Sequence, residues 1–206
     1  MDTPGYDDSV FINCPFDSDF KTIFEALVFA VHDCGFVARC AMEVDDGSQV
    51  RIEKIFRIIE QCRYGIHDIS RTQLDAGSGL PRFNMPLELG MFLGAKRFGR
   101  PKERQKQALI LDGEPYRYQK FCSDIAGQDI RAHDHDPAKA ITVVRNWLRS
   151  ARKEAAIIPS GEHMADRYRL FRADLPLMCT SSHLNPHALI FVDLVTLVTA
   201  WLKENP

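Results

Sequence analysis

The chain predicts a three-layer α/β domain with a mainly parallel five-stranded sheet, extended by helices at its C-terminal end. Three observations carry that expectation. Over residues 1–150, short apolar runs alternate with amphipathic helical stretches. Single helices separate the first four strand candidates, the arrangement that parallel crossovers require, and a turn-rich stretch with Gly113, Pro115 and Tyr116 leads to a weak fifth. Residues 151–206 then show helical patterning alone. A length of 206 residues suits one compact domain with an appendage and is too short for two full domains.

The elements follow in order. Residues 9–14 form an apolar run ending at Pro15, the pattern of a buried strand. Asp17, Ser18 and Asp19 are expected to open the first helix, with carboxylates at its positive end. Phe20, Ile23, Phe24, Leu27, Val28 and Val31 give its apolar face, and Gly35 its stop. Residues 36–41 read as the second strand. After an acidic loop, Ser48 is expected to cap a helix with Ile52, Ile55, Phe56 and Ile59 on one face. Residues 64–69 read as the third strand. A polar loop over 70–83 then leads to a helix capped by Asn84, with Pro86 in its first turn. Residues 107–111 and 128–132 complete the strands. Asp136-Pro137 starts a helix bearing Ile141, Val144, Trp147 and Leu148. In the extension, a helix over 160–175 is expected to break at Pro176. Residues 187–203 read as a helix buried around most of its circumference, with a narrow polar stripe at Asp193, Thr196, Thr199 and Lys203. The extension is expected to pack on the core or to form an oligomer interface.

Charge and composition exclude several classes. With 26 basic and 28 acidic side chains, the net charge of −2 leaves no basic stripe for a nucleic-acid polymer. Six cysteines stand without a CxxC pair, so neither a zinc site nor a thioredoxin-like site is indicated, and a reducing, cytoplasmic setting is expected. Residues 1–4 do not resemble a secretory signal. The most apolar stretch, 188–202, carries Asp193 and is shorter than the roughly 20 residues of a membrane helix. The run His133-Asp134-His135-Asp136 is read as a helix start with Asp136 as cap, and no metal site is expected.

In an open parallel sheet, ligands bind beyond the carboxyl ends of the strands, near the point where strand order reverses. Three polar groups of residues arrive there. Asn13, Cys14, Pro15, Phe16 and Asp17 follow the first strand. Arg39 and the 43–47 loop belong to the second, and Asp68, Ser70 and Arg71 to the third. The long loop after the third strand delivers Arg82, Asn84, Met85 and Glu88. Cys14 reads as a small buried thiol. No GxGxxG or GxxxxGK[ST] motif is present, so dinucleotide-dehydrogenase and P-loop chemistry are not indicated.

The opening Val10-Phe11-Ile12-Asn13 strand, followed by Asp17 and a helix, resembles the start of TIR domains. Asp68-Ile69-Ser70, followed by Glu88-Leu89-Gly90 at a helix start, resembles the nucleoside 2-deoxyribosyltransferase pattern. The resemblance spans roughly residues 9–150 and implies a flavodoxin-like core that cleaves or transfers at an N-glycosidic bond. Two features depart from the families. Arg82-Phe83-Asn84-Met85-Pro86 replaces the transferases' Ser/Asp-Gly-Thr run, and the Trp/Cys-rich stretch before the TIR glutamate is absent.

By this resemblance Glu88 is the catalytic carboxylate and Asp68 lies beside the sugar. Asn13, Pro15, Phe16 and Asp17 form part of the nucleotide cradle. Arg39, Ser70, Asn84 and Met85 join the substrate-binding set, and Arg71 and Arg82 are the candidate phosphate partners. The leading expectation is a NAD nucleosidase, with NAD as substrate and no bound cofactor. The resemblance also implies self-association and a place in bacterial defence signalling, with a partner from such a system. A nucleoside or nucleotide deoxyribosyltransferase or hydrolase is the second reading, and a non-catalytic nucleotide sensor or assembly module the third.

Overall fold

The computed structural model describes residues 5–74, 77, 79–152 and 157–206. The N-terminal segment read for a secretory signal, and three positions of the 70–83 loop, lie outside the described residues. Five parallel strands form the sheet: β1 (Ser9–Asn13), β2 (Val37–Arg39), β3 (Tyr64–Asp68), β4 (Gln107–Asp112) and β5 (Ile130–Ala132). Their spatial order is β2-β1-β3-β4-β5. This is the flavodoxin-like order, with its reversal between β1 and β3. The crossover helices are α1 (Lys21–Asp33), α2 (Arg51–Gln61) and α3 (Asn84–Phe98); β4 and β5 are joined by short 3-10 turns, and α4 (Pro137–Ala151) follows β5. The extension supplies α5 (Gly161–Ser181) and α6 (Phe191–Glu204).

Strand periodicity divides the core between two faces. Val10 and Ile12 of β1, Ile66 of β3, and Leu109 and Leu111 of β4 pack toward α1 and α4. Phe11 points the other way, against Ile55, Ile58 and Ile59 of α2 and Phe92 of α3. Ile110 packs with Leu89. The extension continues the first of these clusters: Phe171, Leu175, Leu197, Val198 and Trp201 belong to the same buried set as Phe29. Phe29 stacks on Phe171 at 5.5 Å and meets Trp201 at 5.9 Å. Across the same seam, Arg167 pairs with Asp33 at 3.1 Å, and the Tyr168 hydroxyl donates to the Thr22 carbonyl. Helices α5 and α6 thus form a further layer on α1 and α4.

Several local expectations are corrected. Asp17, Ser18 and Asp19 precede α1 as a turn, in which the Asp17 carboxylate accepts from the Phe20 amide at 3.2 Å; the helix starts at Lys21. Ser48 does not cap α2, because its hydroxyl donates to Asp46 at 2.6 Å. Phe56 of α2 is exposed and Ile58 takes its expected place in the core. Asn84 is the first residue of α3 and makes no cap bond. Helix α5 runs through Pro176, since the face carrying Phe171, Leu175 and Cys179 is buried and outweighs one missing backbone bond. Helix α6 buries one face only, with Val192 left exposed. Two ends match the reading. Gly35, at φ 77°, closes a Schellman motif in which the Phe36 amide reaches the Val31 carbonyl, and Asp136 accepts from the Ala138 amide at 2.9 Å.

Candidate active site at the carboxyl edge of the sheet

The reversal point brings together the ends of β1 and β3 and the first turns of α3. The Asn13 amide group donates to Nδ1 of His67 at 3.1 Å and to the Met85 carbonyl at 2.9 Å, tying α3 to the end of β1. His67 is fully buried between Phe11 and Phe92, and burial holds its pKa down at about 3. The neutral ring accepts at Nδ1 and carries its proton on Nε2. Gly65 makes room for this ring, because a Cβ there would stand 2.6 Å from His67 Nε2.

Asp68 has no exposed surface. Its carboxylate accepts from the Ser70 amide at 2.9 Å, the Ser70 hydroxyl at 2.5 Å and His133 Nε2 at 2.9 Å. The His135 amide donates to His133 Nδ1 at 3.0 Å, so the His133 proton sits on Nε2 and points at Asp68. Asp68 and Ser70, both expected to bind substrate, are buried and bonded to each other at the end of β3. The pairing of His133 with Asp68 escaped the sequence reading because the two lie 65 residues apart.

Glu88 differs from these braced groups. It is 7% exposed, and among the described residues its carboxylate has no hydrogen-bond or ion-pair partner. Burial pushes its pKa up to about 7, against a smaller opposing pull from the Arg51 guanidinium. Burial likewise raises the Cys14 thiol, reinforced by Asp68, Cys40, Glu88 and Asp17, so this cysteine is an inert neighbour of the carboxylates.

A cavity of about 660 Å³ opens beside this edge. Pro15, Phe16 and Asp17 line one side. The loop after β2 and the start of α2 add Glu43, Asp45, Arg51 and Lys54. The third side comes from the extension: His187, Leu189, Ile190 and Phe191. Lys21 also lines the cavity, and its ammonium donates to the His187 carbonyl at 3.3 Å.

The three arginines of the expected substrate-binding set are engaged with carboxylates. Arg39 is held by Glu43 through two bonds of 2.6 Å and by Gln61 at 3.0 Å, and it does not line the cavity. Arg71 bridges Asp17 and Asp19 at 3.0 and 2.9 Å. Arg82 stands 3.8 Å from Asp17. Asn84 is exposed on the first turn of α3. The cations facing the cavity are instead Lys21, Arg51 and Lys54, none of them singled out from sequence. A signal for two of them was present: Lys21 and Arg51 are the first residues of α1 and α2. A cation there opposes the helix dipole by roughly 0.3–1 kcal/mol, a local conflict of the kind that gathers at functional sites.

Among the described residues no cluster of His, Cys, Asp and Glu suited to a metal ion occurs, and no helix is long and apolar enough to cross a membrane. No family model, curated protein or solved structure matches the chain.

Proposed function

We propose that the protein is an N-glycosidase that breaks the nicotinamide–ribose bond of NAD, with Glu88 as the catalytic carboxylate. The observation that carries this reading is Glu88 itself: a buried carboxylate that, among the described residues, has no hydrogen-bond or ion-pair partner, and on which Arg51, a residue lining the cavity, acts electrostatically. An unpaired carboxylate in that position costs stability, as expected of a group kept for a substrate.

In the reaction, the C1′–N bond breaks with its electron pair passing to the pyridinium nitrogen, and neutral nicotinamide leaves. The positive charge stays on the ribose, where the Glu88 carboxylate stabilises it. Water adding at C1′ and losing a proton yields ADP-ribose; a nitrogen of the same molecule adding there yields a cyclic product. Arg51, which among the described residues has no hydrogen-bond or ion-pair partner, and Lys54 favour a pyrophosphate-bearing substrate over a bare nucleoside.

The test is to incubate the protein, dilute and concentrated, with NAD and with a panel of deoxynucleosides, and to separate the products. Nicotinamide release is expected, and Glu88→Gln should lower it about a hundredfold or more. Activity that persists in this variant would overturn the assignment. Base exchange among deoxynucleosides without loss of NAD would replace it with deoxyribosyl transfer.

A further inference from the structure

The cavity has two chemically different sides, and its apolar side comes from the extension. Leu189, Ile190, Phe191 and Val192 line it from the α5–α6 connection and the first turn of α6. Ile190 and Val192 are 62% and 47% exposed, an unusual position for two aliphatic side chains next to a helix whose other face is well buried. Phe16 and Phe24 continue this apolar surface at ring distances of 5.3 Å from each other and 6.1 Å from Phe24 to Phe191. Arg51 and Lys54 stand on the α2 side.

The α5–α6 connection is tied to the core where it enters the cavity. The Lys21 ammonium donates to the Pro186 and His187 carbonyls and lies 3.8 Å from Glu25, a buried carboxylate that also pairs with Arg172 of α5. Charges at the head of α1 thus hold the extension against the cavity. Arg51 lines the cavity and also acts electrostatically on Glu88.

We propose that the extension is a substrate-binding element: its α5–α6 connection packs against the nucleoside half of the substrate that does not react, while Arg51 and Lys54 take the diphosphate. The inference rests on the nucleotide reading of the site and names the part of the ligand that each side of the cavity receives. A nucleoside diphosphate such as ADP carries both features, a planar base and adjoining phosphates, and lacks the nicotinamide–ribose bond that the proposed reaction breaks.

The experiment is calorimetric titration of ADP into the wild-type protein and into an Ile190→Ser/Val192→Ser variant. Serine is a good N-cap residue at position 190 and both positions are exposed, so α6 is preserved; its circular dichroism and melting temperature verify this. Val192→Ser alone serves if the double variant fails to fold. The wild type should bind ADP, and loss of the aliphatic surface should weaken binding about tenfold. Absence of binding to the wild type at millimolar ADP, or equal affinity in a folded variant, would overturn the proposal. ADP binding that depends on these residues, in a protein that leaves NAD intact, would uphold the binding element and reject the cleavage reaction.

Discussion

Glu88 and Asp68 show how two buried carboxylates on one edge take opposite roles. Asp68 receives three hydrogen bonds, so its charge belongs to the fold. Glu88 receives none among the described residues, and burial shifts its pKa upward from 4.5 to about 7. The folded protein therefore binds the Glu88 proton more tightly than the unfolded chain does. On this account Glu88 costs nothing below about pH 4.5, and its penalty grows as pH rises toward 7 and levels off above it. Glu88→Gln should raise stability by on the order of 2 kcal/mol at pH 8 and leave it nearly unchanged at pH 4.5. Urea denaturation at the two pH values reads this directly. An equal effect at both would show that the carboxylate is not held in an apolar setting. Gain of stability together with loss of turnover is the signature of a residue kept for chemistry.

At the scale of the element, α5 carries an internal conflict. Pro176 removes the amide that would bond to the carbonyl of Arg172, yet the helix continues to Ser181 because Leu175 and Cys179 are buried on either side of it. Pro176 itself faces solvent, so replacing it costs no core packing. Pro176→Ala should restore the bond and stabilise the protein by about 1–2 kcal/mol, less than the full helix-interior penalty because the helix already accommodates the ring. A rise in the urea midpoint with an unchanged slope would bear this out, and a fall would mean that the proline ring serves the docking of α5. Helices α1 and α2 carry a conflict of another kind. Each begins with a cation, against its own dipole, and each of those cations lines the cavity.

For the whole molecule, the division at residue 150 does not separate two cores. Phe29 of α1, Phe171 of α5 and Trp201 of α6 touch one another within one buried cluster that also holds Val10 and Ile12 of the sheet. The extension should accordingly unfold with the sheet in a single transition. In a Trp147→Phe background, Trp201 is the sole tryptophan, and its fluorescence should follow the same urea curve as the far-ultraviolet circular dichroism of the whole chain. Separated curves would mean that the extension opens independently, and the cavity side it supplies would then open with it.

Much of the architecture was readable along the chain, because strands buried on both faces and helices with one apolar face leave local periodic marks. The five strands, the six helices, the Gly35 stop and the Asp136 cap all rest on neighbours within a few residues. Glu88 was readable only through the order of short motifs around it. What local pattern does not encode is which polar groups find partners across long stretches of chain. His133 on Asp68, Asn13 on Met85 and Lys21 on the 186–187 carbonyls join residues far apart in sequence. Pairing of this kind consumed Asp68, Ser70 and Arg39, left Glu88 and Arg51 without partners among the described residues, and turned the extension toward the cavity. The sequence by itself determined the layers, since burial periodicity is a local property; the tertiary structure decided which charges remain available to a ligand, since that depends on hydrogen bonds and burial between distant segments.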